Sequence, residues 1–286
     1  MRIKDNSQVQ KTLAAGFPEG YFRRDDISAA FIQEFPVRTV WHGLVVCGLF
    51  CAVSDWLQAG DSAETKTLLE KAIKAVGGQA KVEQLKNLTW KGKFSIEENG
   101  QQIAVNLDGS LQGWDRQRLD LEVNANGQTE NIVLVINGKK GWIKVRNNIT
   151  DIGKELSVFT QVVFAVRGPQ LLAGLKDKTF QLSHLGEIKI GDQEAVGLRI
   201  SRKGAPDLNV FFSKKTYLPL KADTRITEPQ GKEIDMEILF GDSKGFGGLK
   251  HFTKLTFKAD GKVVTMELSD LRPGAQLEAN IFNRPE

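Results

Sequence analysis

From residue 88 onward, bulky apolar side chains fall at every second position, again and again. Ile103, Val105, Leu107 and Leu111 alternate with mostly polar residues, and Trp90, Phe94 and Ile96 alternate with Lys91, Lys93 and Ser95. A period of two places one set of side chains on one face of a strand and the other set on the opposite face. Asn99-Gly100 separates these two runs and suits a tight hairpin, because both residues tolerate positive φ. The pattern continues with Leu119, Leu121 and Val123, then Ile234, Met236, Ile238 and Phe240, then Val264, Met266 and Leu268. Asn126-Gly127, Asn137-Gly138, Gly191-Asp192, Pro229-Gln230-Gly231 and Asp260-Gly261 punctuate the runs as turns.

Strands are expected over 88–97, 102–114, 118–123, 131–136, 141–145, 179–185, 187–190, 195–202, 208–212, 218–226, 233–240, 250–258 and 262–271. Short turns between them make an antiparallel meander, not a succession of parallel βαβ units. Helical spacing occurs three times. Leu68, Leu69, Ala72, Ile73 and Val76 form a stripe ended by Gly77-Gly78, a short second helix spans 79–86, and a third falls within 151–166. In the third, Leu156, Phe159, Val162, Val163 and Val166 are joined by Val158, Phe164 and Ala165, so most of its surface must be covered. A long sheet with one greasy face must roll up or acquire a second layer. The expected fold is therefore mainly β (α+β): an antiparallel incomplete β-barrel whose open side the few helices cover.

Three stretches divide the 286 residues. Residues 1–39 are polar and read as a disordered or misannotated N-terminal extension. Residues 40–61 hold the apolar run VWHGLVVCGLFCAV after Arg38, with small residues beyond it, which are the parts of an export signal. A start at Val37 would leave a compact signal; peptides from 1–36 in the mature protein would exclude that. Residues 62–286 form one globular domain. The expected location is the periplasm of a Gram-negative-type bacterium, membrane-tethered if the signal stays uncleaved. Both cysteines, Cys47 and Cys51, lie in the apolar run, so the domain has no disulfide framework or cysteine-rich zinc site.

The chain offers little chemistry of the catalytic kind. Gly241-Asp242-Ser243-Lys244-Gly245 matches the nucleophile-elbow pattern literally, but the elbow must open a helix, and Phe246-Gly247-Gly248-Leu249 leads into a strand. His251 is the only later histidine, and no acid separates it from Ser243. A Ser243 hydrolase is thus the weakest reading. His42, His184 and His251 are isolated, and no metal, phosphate-loop or calcium-loop spacing occurs. No cofactor is expected. The net charge of +4 is spread along strands, which argues against nucleic acid and leaves transient contact with an anionic membrane surface.

Several stretches resemble the outer-membrane lipoprotein-sorting carriers of the LolA/LolB-like group, in particular uncharacterised secreted bacterial members. They are Lys74-Ala75-Val76-Gly77-Gly78-Gln79-Ala80, Leu88-Thr89-Trp90-Lys91-Gly92-Lys93 and Ile136-Asn137-Gly138-Lys139-Lys140-Gly141-Trp142. Val210-Phe211-Phe212-Ser213-Lys214-Lys215-Thr216-Tyr217-Leu218-Pro219-Leu220-Lys221, Gly248-Leu249-Lys250-His251 and Ile281-Phe282 complete the set. Such proteins usually carry aspartate where Ser213 stands and glycine where Tyr217 stands. No arginine here matches the arginine latch of the known carriers. The resemblance implies an open half-barrel over an apolar cavity.

The function expected from this is a non-enzymatic periplasmic carrier or sensor that binds acyl chains or a lipidated protein. The lining candidates are Trp90, Phe94, Ile96, Ile103, Val105, Leu107, Phe159 and Val163. Burying an acyl chain yields about 0.8 kcal/mol per CH₂, so an apolar hollow alone supplies affinity. The alternative is a structural, protein-binding envelope module that pairs a partner with an exposed strand edge.

Overall fold

The computed structural model describes residues 63–98, 101–125, 127–153, 156–167, 172, 174–176, 178–227 and 232–286. The expected extension, the export signal, the 99–100 turn and the 229–231 turn lie outside the described residues. The domain below is the unit Gly60–Glu286.

Its helices are α1 (Ala63–Val76), α2 (Gln79–Gln84) and α3 (Leu156–Val166), with a 3₁₀ turn at Ala279–Phe282. Its strands are β1 (Asn87–Glu98), β2 (Gln101–Gln112), β3 (Arg116–Ala125), β4 (Gln128–Asn137), β5 (Lys140–Val145), β6 (Asn148–Asp151), β7 (Phe180–Ile190), β8 (Gln193–Arg202), β9 (Leu208–Ser213), β10 (Pro219–Thr227), β11 (Glu233–Phe246), β12 (Leu249–Ala259) and β13 (Lys262–Pro273). All thirteen join one antiparallel sheet in the order β6-β5-β4-β3-β2-β1-β13-β12-β11-β10-β9-β8-β7. Two meanders, β1–β6 and β7–β13, are thus sewn together by pairing of the first strand with the last. The sheet stays open, with β6 and β7 as its edges, so the barrel is incomplete.

Register carries the alternation across the sheet. Val145, Ile132, Leu121, Leu107, Gly92 and Leu268 pair in succession from β5 to β13. Val264, Phe257, Ile238, Ala222, Val210, Leu198 and His184 do the same from β13 to β7. Directly opposed residues share a face, so one nearly unbroken apolar face runs through the sheet. We call it the inner face. The outer face carries cross-strand ion pairs such as Lys93–Glu267 at 2.9 Å and Lys221–Glu237 at 3.1 Å.

Helices cover the inner face. Leu68, Leu69, Ala72, Ile73 and Val76 of α1 share one buried cluster with Leu198, Val210, Phe212, Ile238 and Leu249 of the sheet. Gly77 and Gly78 end α1 with a Schellman bond pattern: Gly78 N–H donates to Ile73 O at 2.8 Å and Gly77 N–H to Lys74 O at 3.2 Å. Gly77 has φ +134°, and a Cβ there would lie 2.6 Å from the Gly248 carbonyl oxygen, so the helix end sits directly on the β11–β12 turn. On the outer face, the 3₁₀ turn buries Phe282 completely, and Arg118 and Asn137 donate to the carbonyls of Ile281 and Phe282 at 3.3 and 3.1 Å.

Three local expectations need correction. Residues 148–151 form the short edge strand β6, and the third helix starts only at Leu156. Four residues are too few for a readable period, and Ile152 is drawn off as a plug. It is 1% exposed, and a Cβ on Gly141 would lie 2.8 Å from its Cδ1. Second, 179–185 and 187–190 are one strand, β7, with a register shift between His184 and Gly186. Gly186 has φ +79° and donates its N–H to His184 Nδ1 at 3.0 Å, so the glycine marks a bulge inside the strand. Third, β11 continues through Gly241–Gly245 to Phe246.

Tyr217, where the resembling proteins carry glycine, keeps a glycine-like backbone with φ 56°. Ser213 Oγ accepts the N–H groups of Lys215 and Thr216, both at 3.3 Å, in the place of the usual aspartate. Lys71 of α1 donates to the Tyr217 hydroxyl at 3.0 Å and lies over its ring, 4.9 Å from the centroid. The tyrosine accepts a strained conformation and in return ties the β9–β10 turn to α1.

Candidate functional site

The inner face and the mouth left by the open sheet are where a ligand could enter. Helix α3 packs on β10 and on the edge strand β7. Gln161 holds it by a reciprocal pair: its Nε2 donates to Thr227 O at 3.1 Å, and its Oε1 accepts from Thr227 N at 2.9 Å. Phe164 stacks on Phe180 of edge strand β7, with centroids 6.4 Å apart and planes 6° from parallel. Trp114, from the β2–β3 turn, meets the same Phe180 ring at 5.5 Å. Three aromatic rings thus bridge both halves of the sheet and α3.

Beside these rings a cavity of about 410 Å³ opens to solvent. Trp114, Asp115, Gln117, Ile136, Gly138 and Lys139 form one wall, Thr160, Gln161, Val163 and Phe164 of α3 with Arg167 just beyond its end a second, and the 202–206 loop a third. Its volume lies within the range of small-ligand pockets. Arg167 is 4% exposed. Its Nη1 donates to Gly113 O at 3.1 Å, and its guanidinium lies 5.5 Å from the Trp114 ring centroid. Burial pulls its pKa down to about 10; Asp115 opposes the shift and Arg202 adds to it.

Val163 is the one lining candidate from the sequence that reaches this cavity. Trp90, Phe94, Ile96, Ile103, Val105 and Leu107 share the inner face further along β1 and β2, outside it. Ile103, Val105 and Leu107 are buried, while Trp90, Phe94 and Ile96 are half-buried. The Trp90 indole lies across Gly109, where a Cβ would come within 2.2 Å of Cε2. Phe159 is a half-buried residue of α3. The cationic members Lys139, Arg167, Arg202 and Lys203, together with Gln117, were not legible as site residues. The one hint was Arg167, a charge directly after the apolar run 162–166.

The serine of Gly241-Asp242-Ser243-Lys244-Gly245 does not sit on a strand-to-helix turn. It is exposed, lies within β11 and pairs with Phe252 of β12. His251 is 3% exposed, donates from Nδ1 to the Phe252 carbonyl at 2.9 Å, and is pushed down to about 4 by burial. Among the described residues, no group of three or more His, Cys, Asp or Glu side chains could hold a metal ion, and no helix is long and apolar enough to cross a membrane.

No protein-family profile and no curated protein matches the sequence. Solved structures do. A LolA superfamily protein from Nitrosomonas europaea is similar over 76% of this chain and 96% of its own, with 12% identity and a TM-score of 0.51. An outer membrane lipoprotein-sorting protein domain from Vibrio parahaemolyticus covers 76% of this chain and 97% of its own, with 16% identity and a TM-score of 0.50. The thirteen-stranded open sheet with its few covering helices therefore has the LolA-like incomplete-barrel fold.

Proposed function

We propose that this chain is a non-enzymatic carrier or sensor of the cell envelope that holds an acyl chain, or the acyl chains of a lipidated protein, against the inner face of its sheet. The observation that carries this reading is the single apolar face paired in register from β5 to β7 and left open between the two edges. Closing a barrel would bury that face in a side-chain core; covering it with helices pinned at a few points leaves a mouth. Trp90, Phe94, Ile96, Ile103, Val105, Leu107, Phe159 and Val163 supply the contact surface. The fold shared with a lipoprotein-sorting domain supports the same reading. The apolar run at 40–53 fits export to the periplasm. Transient contact with a membrane surface would load or unload the ligand.

Pairing of a partner with a sheet edge is the less favoured alternative. Edge strand β6 has only four residues, and β7 carries a bulge between His184 and Gly186, a device that blunts an edge. The test is native mass spectrometry and lipid extraction on protein purified from its own envelope. A lipid or lipidated protein that co-purifies in stoichiometric amount is expected. Recovery of neither, with no uptake of a fluorescent fatty acid, would overturn the proposal.

A further inference from the structure

The 410 Å³ cavity is not simply greasy. Four of its lining residues are cationic (Lys139, Arg167, Arg202 and Lys203) against one carboxylate, Asp115. Two of its polar groups are buried without a hydrogen-bond partner among the described residues: Arg167 Nε and Gln117 Oε1. A buried polar atom left without a partner is costly, more so in a charged group, and both side chains line the cavity, so they mark a place for a ligand. Arg167 has the stronger claim. It is 4% exposed, held on one side by Gly113 O and on its face by Trp114, and so pre-oriented. Gln117 is 7% exposed, and its carboxamide can turn to present either a donor or an acceptor. The cavity also opens on the inner face, through Gln117 and Ile136, which pair with Leu111 and Gly141.

We propose that this cavity is an oxyanion subsite: it takes the carboxylate or phosphate head of a single-chain amphiphile, with the Arg167 guanidinium and the Gln117 carboxamide as direct partners and Arg202, Lys203 and Lys139 supplying the field. The chain of that amphiphile runs onto the inner face. The head thus selects anionic ligands, while the apolar face supplies chain affinity. The inference rests on the carrier reading for the chain but not for the head. A guanidinium matches both kinds of oxyanion in geometry, so the two sources are separated by experiment.

The test uses the full chain and four probes: dodecyl phosphate, dodecanoate, dodecanol and inorganic phosphate. Binding is followed by the fluorescence of the tryptophans and by calorimetry. The anionic amphiphiles are expected to bind roughly tenfold or more tighter than dodecanol, the value of one hydrogen bond to a charged group. Arg167→Met should remove most of that preference, with thermal stability kept or raised because a buried charge is gone. The surface pair Arg202→Gln/Lys203→Gln should lower the preference in part and weaken its salt dependence. Inorganic phosphate that binds and competes with dodecyl phosphate would assign the site to the free ion as well. Equal affinity for dodecanol and the anionic amphiphiles would overturn the subsite and leave the carrier reading standing. Phosphate binding without any amphiphile would do the reverse. An unchanged preference in Arg167→Met, or no binding of any probe, would overturn the subsite outright.

Discussion

Gly109 is where the packing of the inner face can be tested most sharply. A Cβ at this position would lie 2.2, 2.3 and 2.7 Å from Cε2, Cζ2 and Cδ2 of Trp90, its direct cross-strand partner. All three atoms belong to a rigid indole, so Gly109→Ala must move the whole ring off the sheet. Overpacking of this kind costs about 1–3 kcal/mol. Alanine otherwise suits a strand better than glycine by roughly 0.5–1 kcal/mol. In a Trp90→Leu background, Gly109→Ala should therefore be neutral or slightly stabilising. The coupling between the two positions should be about 1–4 kcal/mol. For a domain of this length, the single substitution lowers Tm by roughly 2–12 °C. Urea and thermal unfolding of the four proteins of the cycle, followed by circular dichroism, measure it. A Gly109→Ala cost equal in both backgrounds would show that the indole does not lie on Gly109, and the inner face as described would fall with it.

Gly77→Ala should cost about 2 kcal/mol or more, because its Cβ would sit 2.6 Å from a backbone oxygen, whereas Gly78→Ala, with nothing within 4 Å, should cost only about 1 kcal/mol of φ strain; chemical denaturation ranks them. His251, held down at about 4 against an unfolded value of 6.5, takes up its proton first in the unfolded chain, so its share of stability is present above pH 6.5 and is lost as pH falls toward 4. Between pH 7 and 5 this amounts to about 2 kcal/mol, and His251→Gln should flatten that part of a stability–pH curve. Ser243→Ala, at an exposed position inside β11, should leave stability within about 0.5 kcal/mol and ligand binding unchanged; loss of an esterase activity on this substitution would revive the hydrolase reading.

Much of this fold could be read along the chain because strands and turns announce themselves locally. Alternation located twelve of the thirteen strands, although it split β7 at Gly186 and stopped β11 at Phe240. Those two errors share a cause. Glycine is the residue of both turns and bulges, and only the hydrogen-bond register tells them apart. Strand β6 escaped because four residues show no period. The resemblance to lipoprotein-sorting carriers named the group whose fold the chain has, and the glycine-to-tyrosine departure at 217 proved compatible with it, since Tyr217 adopts the backbone glycine would have taken.

What the one-dimensional pattern determined is which side of each strand is oily, where the chain turns, and that helices must cover a face too long to hide itself. Each of these depends on neighbours within a few residues. Tertiary structure alone decided that β1 pairs with β13 and that β6 and β7 remain apart. It also gathered Lys139, Arg167, Arg202 and Lys203 around one cavity. These residues come from a turn, a helix end and a loop, and no local periodicity links them. They meet because the order of strands in the sheet and the packing of α3 bring the β4–β5 turn, the end of α3 and the 202–206 loop together, and that order is fixed by the whole fold, not by any stretch of it.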